Sequence, residues 1–459
     1  MKIILDPTGA LDGGLAALRA ELTLPEGFPD AVLAAAGDAA RRVPDAHADW
    51  TAVPFVTLDP EGATDLDQAF AIEAAGSDLL LHYAIADVGW FVSPGDPLDT
   101  EAWKRGATMY FPDGRIGLYP PVLSEGAASL LPDGDRPAVI FTVRIGGDGN
   151  AAIDGVERGL IRNRAKLAYE SATEADLPEG FSELARRVQA AEAARGAARV
   201  DPPEQEVTRD GAGGYALAFR PRTKAEDDNA ALSLAANLAV GKLLLEHRTG
   251  LFRVMAEPDP RAIRRLRHSA QALGLNWPRR TPLDNFERRL DPAKPADAAF
   301  MLAVRRGSPG ASYAPFDANE KPWHAAVAAT YAHATAPLRR LADRYVVEAA
   351  LAVANGKPVP NADAFERLPK VMARADALGG RIDRAVVDLA EAVMLQNQVG
   401  ETFTAIVTDT DERGARIQLT DLAVLARVAA ERATAGDTLQ VRLDGVDITR
   451  RAIAFSLAG

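Results

Sequence analysis

The stretch FVTLDPEGATDLDQAFAIE, from Phe55 to Glu73, places three aspartates within nine residues, among apolar side chains. In an extended chain, residues two apart face the same way, so Asp65 and Asp67 are expected to share one face. Asp59 ends the preceding apolar run, VPFVTLD, and the turn PEGAT separates it from the other two. The pattern therefore predicts that the three carboxylates converge on one point.

Converging carboxylates need a counter-charge, because like charges a few ångströms apart do not stay ionised together. A hard divalent cation is the natural one, and Mg²⁺ prefers a few carboxylates together with water and phosphate oxygens. The alternatives are structural. Aspartates in glycine-containing turns commonly close turns or cap helices. A calcium loop of the EF-hand type is disfavoured, since the stretch lacks the glycine and the final glutamate that this pattern requires.

A second stretch, YAHATAPLRRLADRYVVEA from Tyr331 to Ala349, predicts a helix with a basic N-terminus. Thr335 is expected to be the N-cap. Arg339 and Arg340 would then lie beside the free N–H groups of the first turn, which makes the helix start an anion site. Asp343 is expected to hold the guanidinium of Arg339, four residues before it. The alternative is an ordinary helix with a solvated basic face. Paired with the acidic cluster, the motif favours a phosphate held between cations, a layout suited to metal-assisted phosphodiester cleavage.

Composition excludes several classes of site. The chain of 459 residues has no cysteine, so it contains no disulfide, no thiolate zinc site and no cysteine nucleophile. Its net charge is −12, which argues against nucleic acid only as an average over the whole surface. Of the 52 basic residues 43 are Arg, whose planar fork suits phosphate, although compositional bias explains the excess equally well.

No stretch of the sequence is predicted to enter a membrane. The longest uncharged run of interest, Ala230–Gly241, is too short to span a bilayer and predicts a buried helix. The N-terminus does not resemble a signal peptide. We therefore expect a cytoplasmic protein without membrane contact. We also expect the protein to be a monomer.

The element pattern predicts an α+β multidomain protein of three parts. Residues 1–50 read as short helices without a compact core. Residues 51–397 begin with apolar, β-branched strands, pass a turn-rich charged patch at 201–214 and continue mainly as helices, which predicts a mixed α/β domain. The expected helices of the second half are Ala230–His247, Pro260–Leu273, Pro292–Arg305, Pro337–Asn355, and Ala364–Asn397 with an interruption at Gly379-Gly380. Residues 398–459 carry five short strands and predict a small all-β barrel of the OB type.

Several long motifs, in this order, resemble those of the ribonuclease II (RNB) family. The Phe55–Glu73 stretch is similar to the family signature, and so is LHYAIADVGWFVSPGDPLDTEAWKRGATMYFPDGRIGLYPPVLSEGAASLLPDGDRPAVIFTV. ATAPLRRLADRYVVEA resembles the family's late arginine-containing helix, and the C-terminal strands resemble its RNA-binding OB domain. The likeness covers roughly residues 50–459. It implies processive hydrolysis of single-stranded RNA from the 3′ end, with Mg²⁺ and with release of nucleoside 5′-monophosphates.

The resemblance also implies roles for individual residues. Asp59, Asp65 and Asp67 fall on metal-binding carboxylates, with Asp67 the most critical, and Arg339 falls on the arginine that helps cleavage. Tyr110 and Tyr169 fall on aromatic side chains that contact RNA bases. Phe219 is a third candidate, and Arg340 is expected to bind the RNA backbone.

Two departures from the family pattern lead to hypotheses. Gln68 stands where relatives usually carry another Asp. Its amide oxygen is expected to ligate Mg²⁺ without neutralising charge, so that a second metal would bind weakly.

Two cold-shock barrels, which usually precede the catalytic domain, do not fit into about 50 residues, so RNA entry is expected to be more open and structured RNA to be handled differently. The rival interpretation is a catalytically weakened RNA-binding or scaffold protein of the same fold.

Overall fold

The structure is a computed structural model that describes residues 2–4, 6, 8–197, 204–209, 214–220, 222–291, 294–411, 413–430 and 432–458. Of the predicted turn-rich patch at 201–214, residues 201–203 and 210–213 lie outside the described residues. The strands, in chain order, are β1 (Lys2–Ile4), β2 (Ala48–Trp50), β3 (Val56–Asp59), β4 (Gln68–Ala75), β5 (Asp78–Ala86), β6 (Met109–Phe111), β7 (Gly114–Ile116), β8 (Asp135–Ile145), β9 (Ala151–Arg162), β10 (Ala165–Ala168), β11 (Glu204–Arg209), β12 (Tyr215–Arg220), β13 (Leu251–Val254), β14 (Ser312–Pro315), β15 (Thr402–Asp411), β16 (Gly414–Leu419), β17 (Leu425–Val428), β18 (Thr438–Asp447) and β19 (Ala452–Leu457). The helices are α1 (Ala10–Glu21), α2 (Asp30–Ala40), α3 (Val88–Phe91), α4 (Pro97–Arg105), α5 (Phe181–Ala194), α6 (Lys224–Glu246), α7 (Pro260–Ala272), α8 (Leu283–Glu287), α9 (Pro295–Gly307), α10 (Leu341–Ala354) and α11 (Ala364–Leu395), and a π-helical turn spans Leu123–Ala127.

A seven-stranded mixed sheet forms the centre of the larger part of the chain. Its strand order is β10-β3-β4-β5-β8-β9-β2. The edge strands β10 and β2 run parallel to their neighbours, and the inner pairs are antiparallel. The second half of β5, from Leu81 to Ala86, is buried throughout, as its nearly continuous apolar run predicts for a strand covered on both faces.

Helices α5, α6 and α10 pack against this sheet. Helix α6 begins with a capping box, in which the Thr223 hydroxyl accepts from the Glu226 N–H and the Glu226 carboxylate accepts from the Thr223 N–H. The run Ala230–Gly241 lies inside α6, and most of its side chains are buried in the protein core. In the part of the chain that the structure describes, no helix has the length and apolar character needed to cross a membrane.

The first 50 residues are built into the rest of the molecule, as their lack of a core predicts. Leu11 and Leu15 of α1 pack with Leu389 of α11 in one hydrophobic cluster. Val32 of α2 joins the main core beneath the sheet. Strand β2 extends the sheet by pairing with β9.

The C-terminal residues form an antiparallel sheet with the order β17-β16-β15-β18-β19. The edge strands β17 and β19 contact each other, which makes the sheet a nearly closed barrel and confirms the predicted fold class. Phe403 and Phe455, the only aromatic residues after 397, pack edge to face with ring centroids 6.0 Å apart. The two rings therefore pack in the core of the barrel.

The predicted interruption of the last long helix is wrong. Helix α11 runs without a break from Ala364 to Leu395 and includes Gly379 and Gly380. Each glycine costs about 1 kcal/mol relative to alanine. Burial of one face, with Met372, Ile382 and Leu389 in the core, outweighs that cost.

The predicted start of the arginine-containing helix is also wrong. Helix α10 begins at Leu341 with Arg340 as its N-cap, and Thr335 is not the cap. Residues 336–340 form a turn, in which the Arg340 N–H donates to the Ala336 carbonyl at 2.8 Å. The buried carboxylate of Asp343 accepts from the Ala336 N–H at 2.8 Å and so fixes this turn ahead of the helix.

Candidate active site

One serine fixes the segment between β3 and β4 by two hydrogen bonds to its backbone. The Ser129 hydroxyl accepts from the Leu66 N–H at 2.9 Å and donates to the Thr64 carbonyl at 2.7 Å. The Leu66 carbonyl accepts from the Leu130 N–H, and the Leu66 side chain is fully buried. These contacts fix the backbone that carries Asp65 and Asp67.

Asp67 joins the acidic stretch to the arginine-containing turn. One of its oxygens accepts from the Leu338 N–H at 2.7 Å, and the other lies 3.2 Å from Nε of Arg339. Asp67 is only 4% exposed. Burial raises the pKa of this carboxyl to about 8, although Arg339 and the Leu338 N–H both favour the charged form. The two motifs, which are far apart in the sequence, therefore meet at one buried carboxylate.

Asp59 lacks such partners. Its Oδ2 atom is buried and accepts no hydrogen bond from the residues that the structure describes. Burial raises the pKa of the carboxyl to about 6; Arg339 opposes the rise, and the charge of Asp65 adds to it. Asp59 is therefore the carboxylate of this site that most needs a cation.

Asp65 already has a counter-charge. It pairs with Arg115 and accepts from the Tyr110 hydroxyl at 2.8 Å. Tyr110 and Arg115 face each other across the β6–β7 hairpin, and Arg115 also bonds Glu125. The sequence reasoning missed Arg115, which the hairpin signal PDG between two short apolar runs could have placed opposite Tyr110.

Helix α6 presents a polar face that includes two residues, Asn229 and Ser233, that the sequence reasoning also missed. Asn229, Ser233 and Asn237 recur every four residues in an otherwise apolar helix, and this spacing is the signal that could have identified them. Asn229 donates to the Tyr169 hydroxyl at 2.8 Å. The Asn237 amide oxygen accepts from the Ala334 N–H at 2.9 Å and so holds the segment before Arg339.

Gln68 contributes its oxygen to a buried hydroxyl pair. Its Oε1 atom accepts from the Tyr83 hydroxyl at 2.6 Å and from the Ser233 hydroxyl at 3.1 Å. The predicted role of Gln68 as a metal ligand requires that same oxygen. In the structure, that oxygen is bonded by the Tyr83 and Ser233 hydroxyls.

The four remaining candidate residues, Tyr169, Tyr110, Arg340 and Phe219, lie in different surroundings. Tyr169 follows β10 directly and lines the cavity next to Gln68. Tyr110 is 46% exposed. Arg340 is held by two hydrogen bonds to Asp343, at 2.9 and 2.7 Å, so Asp343 orients Arg340 and not Arg339 as expected. Phe219 lies on β12 and packs against a hydrophobic cluster that contains residues of α1 and α11 and the two neighbours of Tyr110, Met109 and Phe111.

A cavity of about 1230 Å³ opens beside these residues. Gln68, Tyr169 and Arg339 are among its lining residues, together with residues of α7, α8 and α9. The charged side chains of its lining are Arg195, Arg222, Arg305, Arg339, Arg340, Glu192, Glu226, Glu257, Asp284 and Glu287. The cavity lining is therefore of mixed charge, and individual arginines rather than a uniform field would attract phosphate.

The residues present fit a magnesium ion in one specific way. The unpartnered buried oxygen of Asp59 is the kind of hard ligand that Mg²⁺ takes. Among the described residues, however, no group of three His, Cys, Asp or Glu side chains is arranged to hold a metal ion by itself. Mg²⁺ commonly binds to one or two carboxylates and completes its shell with water and substrate phosphate. This donor set fits an ion of that kind.

Comparison with known proteins places this arrangement in a family. Residues 47–354 match the RNB domain. The chain belongs to the RNB family. Residues 401–458 match the C-terminal S1 domain of RNase II-type exonucleases. The RNB match contains both Asp67 and Arg339, and the S1 match covers the C-terminal barrel.

Relatives of this RNB protein include ribonuclease R of Aquifex aeolicus, which is 28% identical over 396 residues covering 79% of this chain and 55% of that protein. The chain thus spans about half the length of the curated relatives that it matches. Ribonuclease R of Mycoplasma genitalium, solved in complex with ribose-methylated single-stranded RNA, has the same fold, with a TM-score of 0.86 at 18% identity over 100% of this chain and 79% of that one. Yeast Ssd1, a pseudonuclease, matches with a TM-score of 0.69 at 17% identity over 96% of this chain and 59% of that one.

Proposed function

We propose that this RNB protein is an exoribonuclease that degrades single-stranded RNA processively from its 3′ end, by Mg²⁺-assisted hydrolysis to nucleoside 5′-monophosphates. The observation that carries the proposal is the buried contact of Asp67 with the Leu338 N–H and Arg339. This contact fixes an arginine that lines a large cavity, near a second carboxylate, Asp59, one oxygen of which is buried. Phosphoryl transfer needs this combination of positioned cations and hard ligands.

Arg339 is positioned to stabilise charge on the reacting phosphate. Its Nε faces Asp67, while 43% of its side chain is exposed at the cavity. The remaining guanidinium N–H groups are donors in a fixed planar fork, which matches two phosphoryl oxygens. Asp67 thus acts by holding Arg339 in one orientation.

Asp59 is the residue that we propose as the principal ligand of Mg²⁺, with Asp65 and Asp67 beside it. When bound, Mg²⁺ supplies positive charge that polarises the phosphate and makes a water molecule a better nucleophile. Because Arg115 and Arg339 already neutralise Asp65 and Asp67, Asp59 carries most of the uncompensated charge. We expect the ion to bind weakly without RNA and more tightly once a phosphate completes its shell.

Two tyrosines are proposed to hold the 3′-terminal bases. Stacking on an aromatic ring is tolerant of sequence, as a nuclease acting on any RNA requires. The hydroxyls of both rings are fixed, that of Tyr110 by Asp65 and that of Tyr169 by Asn229. Arg340, locked by Asp343, would contribute a stationary charge at the cavity. For Phe219 we keep only the sequence-based prediction.

We further propose that the S1 barrel adds RNA contacts, and that the protein acts as a monomer in the cytoplasm, with unit boundaries near residues 50 and 397. Two arginines of the barrel already form ion pairs with carboxylates of the protein. Arg451 pairs with Glu21 of α1 at 2.8 Å, and Arg442 pairs with Asp444 at 3.1 Å. RNA contacts of the barrel would have to compete with these pairs.

One gel tests the proposal. RNA labelled at its 5′ end, and DNA of the same sequence, are incubated with the protein in Mg²⁺ or in EDTA. The proposal predicts a ladder that shortens from the 3′ end, on RNA only and in Mg²⁺ only. Retarded RNA without products would contradict it, and so would equal digestion of DNA.

A second candidate function is an RNA-binding scaffold without catalysis. The observation that favours it is Gln68, whose oxygen is bound by two hydroxyls, so that this position supplies neither a charge nor a free metal ligand. The scaffold predicts retarded RNA without products in the same gel. A phosphodiesterase acting on another substrate predicts neither retardation nor a ladder.

A further inference from the structure

Gln68 occupies a decisive position in this site. It follows Asp67 directly, begins β4 and lines the same cavity as Arg339. Its amide has one acceptor and two donor N–H groups, and the two ends cannot serve the same partner. Which end faces the cavity therefore determines what Gln68 can bind.

The contacts with Tyr83 and Ser233 assign the oxygen to the protein side. Tyr83 is fully buried, so its hydroxyl needs an acceptor. The distance from this hydroxyl to Oε1 of Gln68 is 2.6 Å, which is normal for an O–H···O bond and short for an N–H···O bond. The Ser233 hydroxyl has a single hydrogen, which it can direct to the same oxygen at 3.1 Å or to the Tyr83 oxygen at 2.7 Å.

The amide nitrogen of Gln68 is left for the cavity. Within the described part of the chain, the structure shows no acceptor for this nitrogen. The nitrogen is also absent from the fully enclosed polar atoms that lack a partner, so it has access to the cavity. It thus offers an N–H donor to the cavity that Arg339 also lines.

We propose that Gln68 is a substrate-binding residue, whose amide nitrogen donates a hydrogen bond to a phosphate oxygen of RNA in the cavity, and that it is not a metal ligand. The inference rests on the proposed function, since it needs RNA in this cavity. A neutral donor attracts the phosphate, whereas an aspartate at this place would direct a negative charge at it. The same geometry accounts for the direction of the oxygen, which is already satisfied by two hydroxyls.

The test measures RNA binding without any divalent cation. Fluorescent single-stranded RNA with non-hydrolysable 3′-terminal linkages is titrated in EDTA with wild type, Gln68→Met and Gln68→Glu. Loss of a donor to a charged phosphate is expected to weaken binding about tenfold in Gln68→Met. Gln68→Glu keeps an acceptor for Tyr83 and Ser233, is expected to fold, and is expected to bind RNA more weakly still. Gln398→Met is the matched control, because the Gln398 side chain donates to the Met394 carbonyl and does not line the cavity. The RNA affinity of this variant should equal that of wild type.

A second measurement tests whether Gln68 has a role in metal binding. Titration of each variant with Mn²⁺ in the absence of RNA, followed by water proton relaxation, should give the wild-type affinity for Gln68→Met. RNA affinity in EDTA that is unchanged in Gln68→Met overturns the inference alone, and so does a weakened Mn²⁺ affinity in that variant. Wild-type protein that fails to bind RNA in EDTA contradicts both the inference and the proposed function.

Discussion

At the scale of single residues, three aspartates with the same chemistry meet three different environments. Asp65 lies beside Arg115, Asp67 lies beside Arg339, and Asp59 has a buried oxygen for which the described part of the chain provides no donor. Burial raises the pKa of Asp59 and of Asp67, to about 6 and about 8, because it disfavours an ionised carboxylate more than the nearby arginine favours it. A cation brought in with the substrate would be attracted most strongly to Asp59.

The ring and the hydroxyl of Tyr110 are expected to contribute separately. Tyr110→Ala removes a stacking surface and should weaken RNA binding by about 1–3 kcal/mol, as such rings contribute per base. Tyr110→Phe keeps the ring and loses only the bond to Asp65. Fluorescence anisotropy with single-stranded RNA measures both variants. Equal affinity of Tyr110→Ala and wild type would contradict the stacking role, and a loss in Tyr110→Phe as large as in Tyr110→Ala would assign the effect to the hydroxyl.

At the scale of elements, the site depends on where two helices place their polar residues. Helix α6 passes the cavity with Asn229, Ser233 and Asn237 on one face. The turn before α10 delivers the Leu338 N–H and Arg339 to Asp67. This turn is closed by Asp343, which is fully buried and touches neither the cavity nor Asp67. Asp343 is therefore a positioning residue.

Replacing Asp343 should impair both stability and catalysis. Asp343→Ala leaves the Arg340 guanidinium without its partner and should lower the free energy of unfolding by about 3 kcal/mol, as breaking a buried pair does. The rate of single-turnover cleavage should fall more than RNA affinity, because Arg339 loses its orientation. Urea unfolding, cleavage and binding measure the three effects. Asp363→Ala is the control: this exposed N-cap of α11 makes no cap hydrogen bond, and its loss should change stability by less than about 0.5 kcal/mol.

The sequence predicts most elements here and misses the geometry of their ends. The apolar runs of β3, β4, β5 and β8 identify the sheet, because strands buried on both faces must be apolar almost throughout. The start of α10 was misplaced, since a proline and a threonine are equally compatible with a turn, and only the tertiary contact of Asp343 with Ala336 decides between them. The orientation of the Gln68 amide depends on Tyr83 and Ser233, which are distant in sequence, so local pattern carries no information about it.

At the scale of the whole molecule, a buried carboxyl joins the barrel to the catalytic part. Glu391 of α11 accepts from the Leu425 N–H of β17 at 2.8 Å and from the Gln205 side chain of β11 at 2.6 Å. Burial raises its pKa from an ordinary value of 4.5 to about 7, although both hydrogen bonds favour the charged form. The junction of α11, β11 and the barrel is therefore sensitive to pH.

The sign of this sensitivity follows from linkage. A carboxyl whose pKa is raised by folding contributes stability that is fully present below its unfolded pKa and is lost as pH rises through its folded pKa. The free energy of unfolding should therefore fall between about pH 4.5 and pH 7 in wild type relative to Glu391→Gln. The difference should reach at most about 3 kcal/mol above this window.

Urea unfolding of wild type and Glu391→Gln across this pH range measures the difference directly, since other titrating groups are common to both proteins. Glu366→Gln, at an exposed position in the first turn of the same helix, is the control and should follow wild type. A constant difference between wild type and Glu391→Gln from pH 4.5 to pH 8 would show that Glu391 does not titrate in this window.

The buried junction of Asp67 with the arginine-containing turn is tested most directly by single-turnover cleavage of single-stranded RNA in Mg²⁺, with RNA affinity measured in parallel. Asp67→Asn should keep RNA affinity within a few-fold and lower the cleavage rate by about a thousandfold or more, as loss of a main electrostatic element does. Asp154→Asn, which removes an exposed carboxylate that pairs with Arg144 far from the cavity, should cleave like wild type. Cleavage by Asp67→Asn at the wild-type rate would contradict the account.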